Sequence, residues 1–206
     1  KGQFETNPVF IALMDKVKAA GSTLHLCGLL SDGGVHSHIR HLIALVAMAA
    51  AKGLKKVYLH CFMDGRDTPP ASGAGYMQEL TAALERIGHG QVATVCGRYF
   101  AMDRDKRWDR VEKAWLAMVA GQGRMATDPV ELIKEAYQRG ETDEFITPTV
   151  LVDQHGEAVG RIVDNDAILF FNFRADRVRE LCHAFHDTAF AGFDAGTRPR
   201  LLSLVT

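Results

Sequence analysis

The chain's 206 residues, 47% of them hydrophobic and 24% charged, are enough for one globular domain with a substantial core and argue against disorder. With 24 Lys and Arg against 25 Asp and Glu, the formal net charge is -1, so no global field draws in nucleic acid or an anionic membrane. No apolar stretch reaches the roughly 18 to 20 residues of a membrane span and no charged-then-apolar leader opens the sequence, so a soluble, cytoplasmic protein is the expectation.

Asn7-Pro8 followed by Val9, Phe10, Leu13, Met14 and Val17 supplies a cap, a first-turn proline and an apolar stripe that stops at Gly21, which predicts a first helix. An apolar run over 24–30 predicts a strand, and residues 36–51 a helix ending at Gly53. The run 57–63 is a second strand, followed by a helix over 72–87 entered through Pro69-Pro70. A third strand over 92–96 leads to a helix over 106–120, which carries Trp108, Val111, Trp115, Leu116 and Val119 on one face. Another helix starts at Asp128-Pro129 and runs to Gly140. Residues 147–163 read as a β-hairpin turning at 153–156, an expected edge feature. A strand over 167–171 and a helix over 174–186 complete the pattern.

Strands alternating with helices predict an α/β fold: a doubly wound, mostly parallel sheet with helices on both faces, in a single domain over 1–206. Cys27, Cys61, Cys96 and Cys182 form no Cys-x-x-Cys pair and sit mostly in apolar runs, as buried reduced thiols would. The chain opens on Lys1 rather than Met and closes on the apolar run 200–206 with no turn after it, so a piece of a longer polypeptide is expected.

The four predicted strands end in loops rich in arginine, aspartate and histidine: Ser-Asp-Gly-Gly-Val-His36-Ser-His38, Asp64-Gly-Arg66-Asp67-Thr-Pro-Pro, Gly-Arg98-Tyr-Phe-Ala-Met-Asp-Arg104 and Asn-Phe-Arg174-Ala-Asp176-Arg177. If the strands are parallel, these loops share the sheet edge where open α/β folds bind ligands. In the Asp-Gly-Arg-Asp loop, Arg66 can grip a phosphate or carboxylate while Asp67 exchanges a proton with a hydroxyl; the plainer reading is a surface ion pair of Arg66 with Asp64 or Asp67. Arg98 and Arg104 reach one pocket only if the chain bends between them, and otherwise belong to a charged helix start. Arg174 and Arg177 fall at a predicted helix start, which disfavours cations unless an anion, or Asp176 and Glu180, offsets them. His36-Ser-His38 either begins a metal site or sets His36 beside an anion approached by Gly33-Gly34; a solvated or capping histidine is the simpler alternative. No Gly-x-Gly-x-x-Gly or P-loop follows any strand.

Together the loops suit a small ligand with two anionic groups and a hydroxyl. In order and spacing they closely resemble the cofactor-independent phosphoglycerate mutase family, over nearly the whole chain. The resemblance is to its central phosphotransferase domain only, inserted into an alkaline-phosphatase-like domain. It implies a glycolytic isomerase in which a serine of the other domain takes the phosphoryl group from 3-phosphoglycerate and returns it to the 2-hydroxyl to give 2-phosphoglycerate, assisted by two manganese ions. It also implies substrate contacts at His36, Arg66, Asp67, Arg98, Arg104, Arg174 and Arg177. Asp67 would be the proton shuttle and Arg174 would lie close to the reacting oxygens. The serine and the metal ligands have no counterpart in this sequence. The chain alone is therefore expected to bind phosphoglycerate without metal and without turnover, its partner being the phosphatase-like domain. Two alternatives remain open at this point: a non-catalytic anion-binding or regulatory domain, and a small metallohydrolase using His36, His38 and His41.

Overall fold

The computed structural model describes residues 3–206. Helix α1 (Pro8–Ala20) begins as expected, with Asn7 accepting the Val9 amide, and ends on Gly21 in the left-handed conformation (φ 61°). Strand β1 (Thr23–Leu30), helix α2 (Ile39–Lys52), strand β2 (Lys56–Met63), helix α3 (Gly73–Ile87) and strand β3 (Gln91–Gly97) follow. A single-turn helix α4 (Arg98–Ala101) and helix α5 (Trp108–Val119) lead to strand β4 (Arg124–Ala126), helix α6 (Pro129–Gln138) and strand β5 (Thr149–Leu151). Strand β6 (Ala167–Phe170), helix α7 (Arg179–His186) and strand β7 (Ser203–Val205) complete the chain.

Among the described residues, seven strands form one sheet in the order β4-β5-β3-β2-β1-β6-β7. Strands β7, β6, β1, β2 and β3 are mutually parallel, and β5 reverses against β3. Alternation along β1 sends Leu24, Leu26 and Leu30 to one face, against α1, α2, α3 and α6, and Cys27 and Leu29 to the other, against α4, α5 and α7. Both faces are covered, so the central strands read as continuous apolar runs.

Two local expectations change, and one further strand joins the sheet. The hairpin over 147–163 is reduced to β5, a Val152–Ala158 bridge and the turn between them, and the edge belongs to β4, a strand too short and too exposed to announce itself. Arg174 and Arg177 do not open a helix: a 3-10 turn spans Ala175–Arg177, and α7 starts only at Arg179. The macrodipole argument therefore does not apply to them. The run at 200–206 supplies β7, paired with β6.

Loops leaving β1 and β2 climb to helices on one face, those leaving β3 and β6 to helices on the other, and between them the sheet edge opens. The segment at 143–146 wedges beneath these loops. Gly97 donates its amide to Ile146 O (2.7 Å), and a Cβ on Gly97 would stand 2.1 Å from Glu144 O. Gly97→Ala should therefore lower stability by about 1–3 kcal/mol through overpacking. Gly75→Ala, in α3 with nothing within 4 Å of the added carbon, should raise it by about 0.5–1 kcal/mol. Urea denaturation of both variants checks this pair; equal effects would contradict it.

Candidate functional site

Asp64 is the first residue after β2 and Arg98 the first after β3, and because these strands are parallel neighbours the two side chains meet. Arg98 Nη1 donates to Asp64 Oδ1 and to Asp67 Oδ2, both at 2.7 Å, and Nη2 lies 3.1 Å from His36 Nε2. Arg98 is 4% exposed, Asp64 1% and His36 3%. Asp64 Oδ1 also accepts the Asp67 and Arg66 amides (3.0 and 3.2 Å), while Oδ2 accepts the Ser31 hydroxyl at 2.8 Å. Burial works against the Asp64 carboxylate, but the Asp67 amide, Ser31, Arg98 and the Arg66 amide outweigh it and hold its pKa below the ordinary range.

A guanidinium has no acceptor, so His36 Nε2 must accept from Arg98 and the ring proton must sit on Nδ1. Burial, then Arg98 and Arg174, lower the His36 pKa, against the opposing pull of Asp67 and Asp176, and the ring is neutral at pH 7. Its Nδ1 is buried without a partner, 3.9 Å from Asp176 Oδ1, which also lacks a hydrogen bond.

Asp176 gathers the second group. Arg174 Nε lies 3.0 Å from Asp176 Oδ1, and Arg104 Nη1 reaches Oδ2 at 3.4 Å. Both arginines are about half exposed. Arg177 Nη1 donates to Met102 O (3.2 Å), while its Nε is buried with no partner among the described residues. Burial and the neighbouring charges of Arg104 and Arg98 depress the Arg177 guanidinium below its ordinary value. Arg66 leans away, its Nη1 3.2 Å from Glu144 Oε1 and its side chain 56% exposed.

The structure thus brings His36, Asp67, Arg98, Arg104, Arg174 and Arg177 to one edge, with Arg66 at the rim. Sequence reasoning missed Asp64, Ser31 and Glu144 as the groups that hold them, and it used Asp176 only as a neutraliser. Asp64 carried one usable signal: it directly follows the mostly apolar run 57–63, whose last five residues are buried, and it is buried with them. His38 and His41 do not join His36. His38 Nδ1 caps α2 by accepting the Arg40 amide, and His41 stacks on Phe4. Among the described residues no group of three or more His, Cys, Asp or Glu side chains is placed to hold a metal ion, so the metallohydrolase reading finds no ligand set there.

Removing one partner of a buried, hydrogen-bonded ion pair costs about 3–5 kcal/mol, and Asp64→Asn should approach that loss in urea denaturation at pH 7. Because the folded pKa of Asp64 is depressed, its stabilisation is present above the unfolded carboxylate range and is lost as pH falls through the folded value. The variant should therefore lose less stability on acidification than the parent. A loss below about 1 kcal/mol at pH 7 would contradict the role given to this pair.

The sequence model of the family described as "BPG-independent PGAM N-terminus" matches residues 1–206. The 2,3-bisphosphoglycerate-independent phosphoglycerate mutase of Symbiobacterium thermophilum is 50% identical over 206 residues, and that of Thermomicrobium roseum 52%. Each alignment covers 100% of this chain and 39% of the relative, so the chain spans about two fifths of the relatives' length. A crystal structure of Leishmania mexicana phosphoglycerate mutase at low cobalt concentration superposes with a TM-score of 0.92 at 36% identity, covering 98% of this chain and 38% of that one. With its whole length matched and its fold shared, the chain belongs to the family of BPG-independent phosphoglycerate mutase N-termini.

Proposed function

We propose that this chain is the substrate-holding, phosphotransferase domain of a mutase that interconverts 3-phosphoglycerate and 2-phosphoglycerate in the cytoplasm, and that the remainder of a longer enzyme supplies the phosphatase-like domain. The carrying observation is the under-neutralised arginine cluster. Arg177 is partly buried, its Nε has no partner among the described residues, and the charges of Arg104, Arg98 and Arg66 all weigh on it against Asp176. An anion with several oxygens relieves that repulsion and satisfies the open donors, each charge-assisted hydrogen bond contributing about 1.5–3 kcal/mol.

In this reading Arg66, Arg104 and Arg177 take the carboxylate and phosphate, the His36 Nδ1–H faces the phosphoryl group, and Arg174 lies near the reacting oxygens. A serine of the other domain bonds to phosphorus as the bond to the 3-oxygen breaks, and the serine's hydroxyl proton passes by way of Asp67 to that oxygen. The glycerate turns in the crevice, Asp67 takes the proton of the 2-hydroxyl and returns it to the serine oxygen, and the 2-oxygen recovers the phosphoryl group as the serine–phosphorus bond breaks. Asp67 Oδ2 is fixed by Arg98, while Oδ1 makes no hydrogen bond among the described residues and is free to exchange the proton. Running in reverse, the same steps give the opposite reaction. Among the described residues no group of three or more metal-ligating side chains is placed to hold an ion, and we assign the two manganese ions of this reading to the other domain, where they would stabilise charge on the transferring phosphoryl group.

Asp67→Asn in the full-length enzyme separates catalysis from recognition. General acid–base catalysis contributes about 10²–10⁴-fold, so kcat should fall by that order while phosphoglycerate affinity changes only a few-fold. A variant that keeps parental turnover would contradict the shuttle and favour a recognition-only domain. The isolated 206-residue chain should bind without turnover, and mutase activity in it would contradict the division of labour.

A further inference from the structure

Helix α3 opens without a cap of its own: the Ser72 hydroxyl turns back to Pro69 O (2.8 Å) and bonds no amide of the helix. Its first donors are met from another part of the chain. Asp143 Oδ2 accepts the Ser72 and Gly73 amides at 3.0 and 2.8 Å, and Tyr137 Oη accepts the Ala74 amide at 3.2 Å while donating its own proton to Asp143 Oδ1. Asp143 is 1% exposed and pairs with no cation among the described residues, so the helix N-terminus supplies the positive end that this buried carboxyl group faces.

The same residue holds the chain that leads into the helix. Asp143 N donates to Pro70 O at 2.8 Å, and the next residue, Glu144, is the one that Arg66 Nη1 reaches. A Cβ on Gly65 would stand 2.9 Å from Glu144 N and 3.0 Å from Asp143 Cβ, and one on Gly73 would stand 2.5 Å from Asp143 Oδ1. Both ends of the loop over 64–73 therefore close on residues 143–144 with no room for a side chain between. Upstream, Asp64 Oδ1 accepts the Arg66 and Asp67 amides. Pro69 and Pro70 have no amide to give, so the next backbone donors through which the loop is anchored are those of Ser72 and Gly73, and both go to Asp143.

We propose that Asp143 is a positioning residue for the Arg66–Asp67 loop: by capping α3 from outside the helix it fixes the loop's downstream end, as Asp64 fixes the upstream one, and so keeps Asp67 within reach of a substrate hydroxyl. The inference rests on the reading of Asp67 as the proton shuttle. A displacement of about 1 Å at a reacting group can cost about 10²-fold in rate, so a loop pinned at one end only is a poor carrier for a proton-transfer group. Asp143→Asn preserves the arrangement, because its carbonyl oxygen accepts the Ser72 and Gly73 amides and its Nδ2 donates to Tyr137 Oη. Asp143→Ala removes all three side-chain bonds.

The test joins a measurement without ligand to one with substrate. In the 206-residue chain, Asp143→Ala should cut the hydrogen-exchange protection of the Gly73 amide about tenfold, the contribution of one hydrogen bond, and lower the ¹⁵N order parameters of Thr68 and Ala71 from about 0.85 to below about 0.6, with the amides of α5 unchanged. In the full-length enzyme the same variant should lower kcat of the folded protein about 10- to 100-fold and raise KM only a few-fold, whereas a role in stability alone would leave both at the parental value. Asp143→Asn should restore the loop's order and bring kcat back to within a few-fold of the parent. Tyr137→Phe, which takes one bond from Asp143 and the acceptor from Ala74, should move the same quantities in the same direction by less, and it decides the matter if Asp143→Ala does not fold. A loop as ordered as the parent's, a parental kcat, or an Asn variant no better than the Ala variant would overturn the proposal. A full-length parent without mutase turnover would overturn the proposed function instead, and the loop measurement would still decide whether Asp143 holds the loop.

Discussion

The buried pair between Asp64 and Arg98 is the interaction on which the rest of the site depends. Desolvating both charges is costly, and their attraction offsets that cost only if the remaining donors and acceptors are satisfied. They are: Asp64 takes Ser31 and two amides of its own loop, and Arg98 takes Asp67 and His36. Loops from β1, β2 and β3 are thereby tied to one guanidinium. The pair exists because parallel pairing of β2 with β3 sets Met63 beside Gly97, so the residues that follow each strand emerge side by side. Gly97 makes the approach possible, since only a residue without a Cβ fits against Glu144.

The rest of the edge divides into a buried floor and an exposed rim. Arg98, His36 and Asp64 are buried and mutually bonded, so their charges and tautomer are set before any ligand arrives. Arg66, Arg104 and Arg174 are half exposed and rest on Glu144 and Asp176, contacts that contribute little in water and can be exchanged for a ligand's oxygens. Pre-organised charge below and exchangeable charge above is an arrangement that lets a small anion be held firmly while its contacts at the rim exchange.

Much of this was legible in the residues and some was not. The caps at Asn7 and Gly21, the proline at the start of α6 and the long apolar runs of β1, β2 and β3 follow local rules, and the structure obeys them. β4 is three residues long and owes its existence to pairing with β5, which no periodicity reveals, whereas β5 was legible as the first arm of the expected hairpin. The turn at Ala175–Arg177 fails to become helix although its spacing suits one, because Phe173 and Arg174 are committed to the crevice: the Phe173 amide bonds His36 O, and Arg174 meets Asp176. The site's arginines were visible as a pattern of loop positions. Asp176 was visible beside Arg174, but the pairings of Arg98 with Asp64, Arg66 with Glu144 and Arg104 with Asp176 join residues far apart in sequence and take meaning only once the strands are ordered. His38 looked like half of a metal pair and is a helix cap, a role equally available to a histidine before Ile39.

The central claim is that the edge formed by these loops is one preformed anion site matched to phosphoglycerate. It is tested most directly by titrating the isolated chain with 3-phosphoglycerate while following backbone amide and arginine Nε resonances, with inorganic phosphate and glycerol phosphate as controls. The account predicts shifts confined to the loops around His36, Arg66, Arg98, Arg104 and Arg174, saturating at lower concentration with phosphoglycerate than with either control. Shifts scattered over the surface, or none at millimolar ligand, would contradict it.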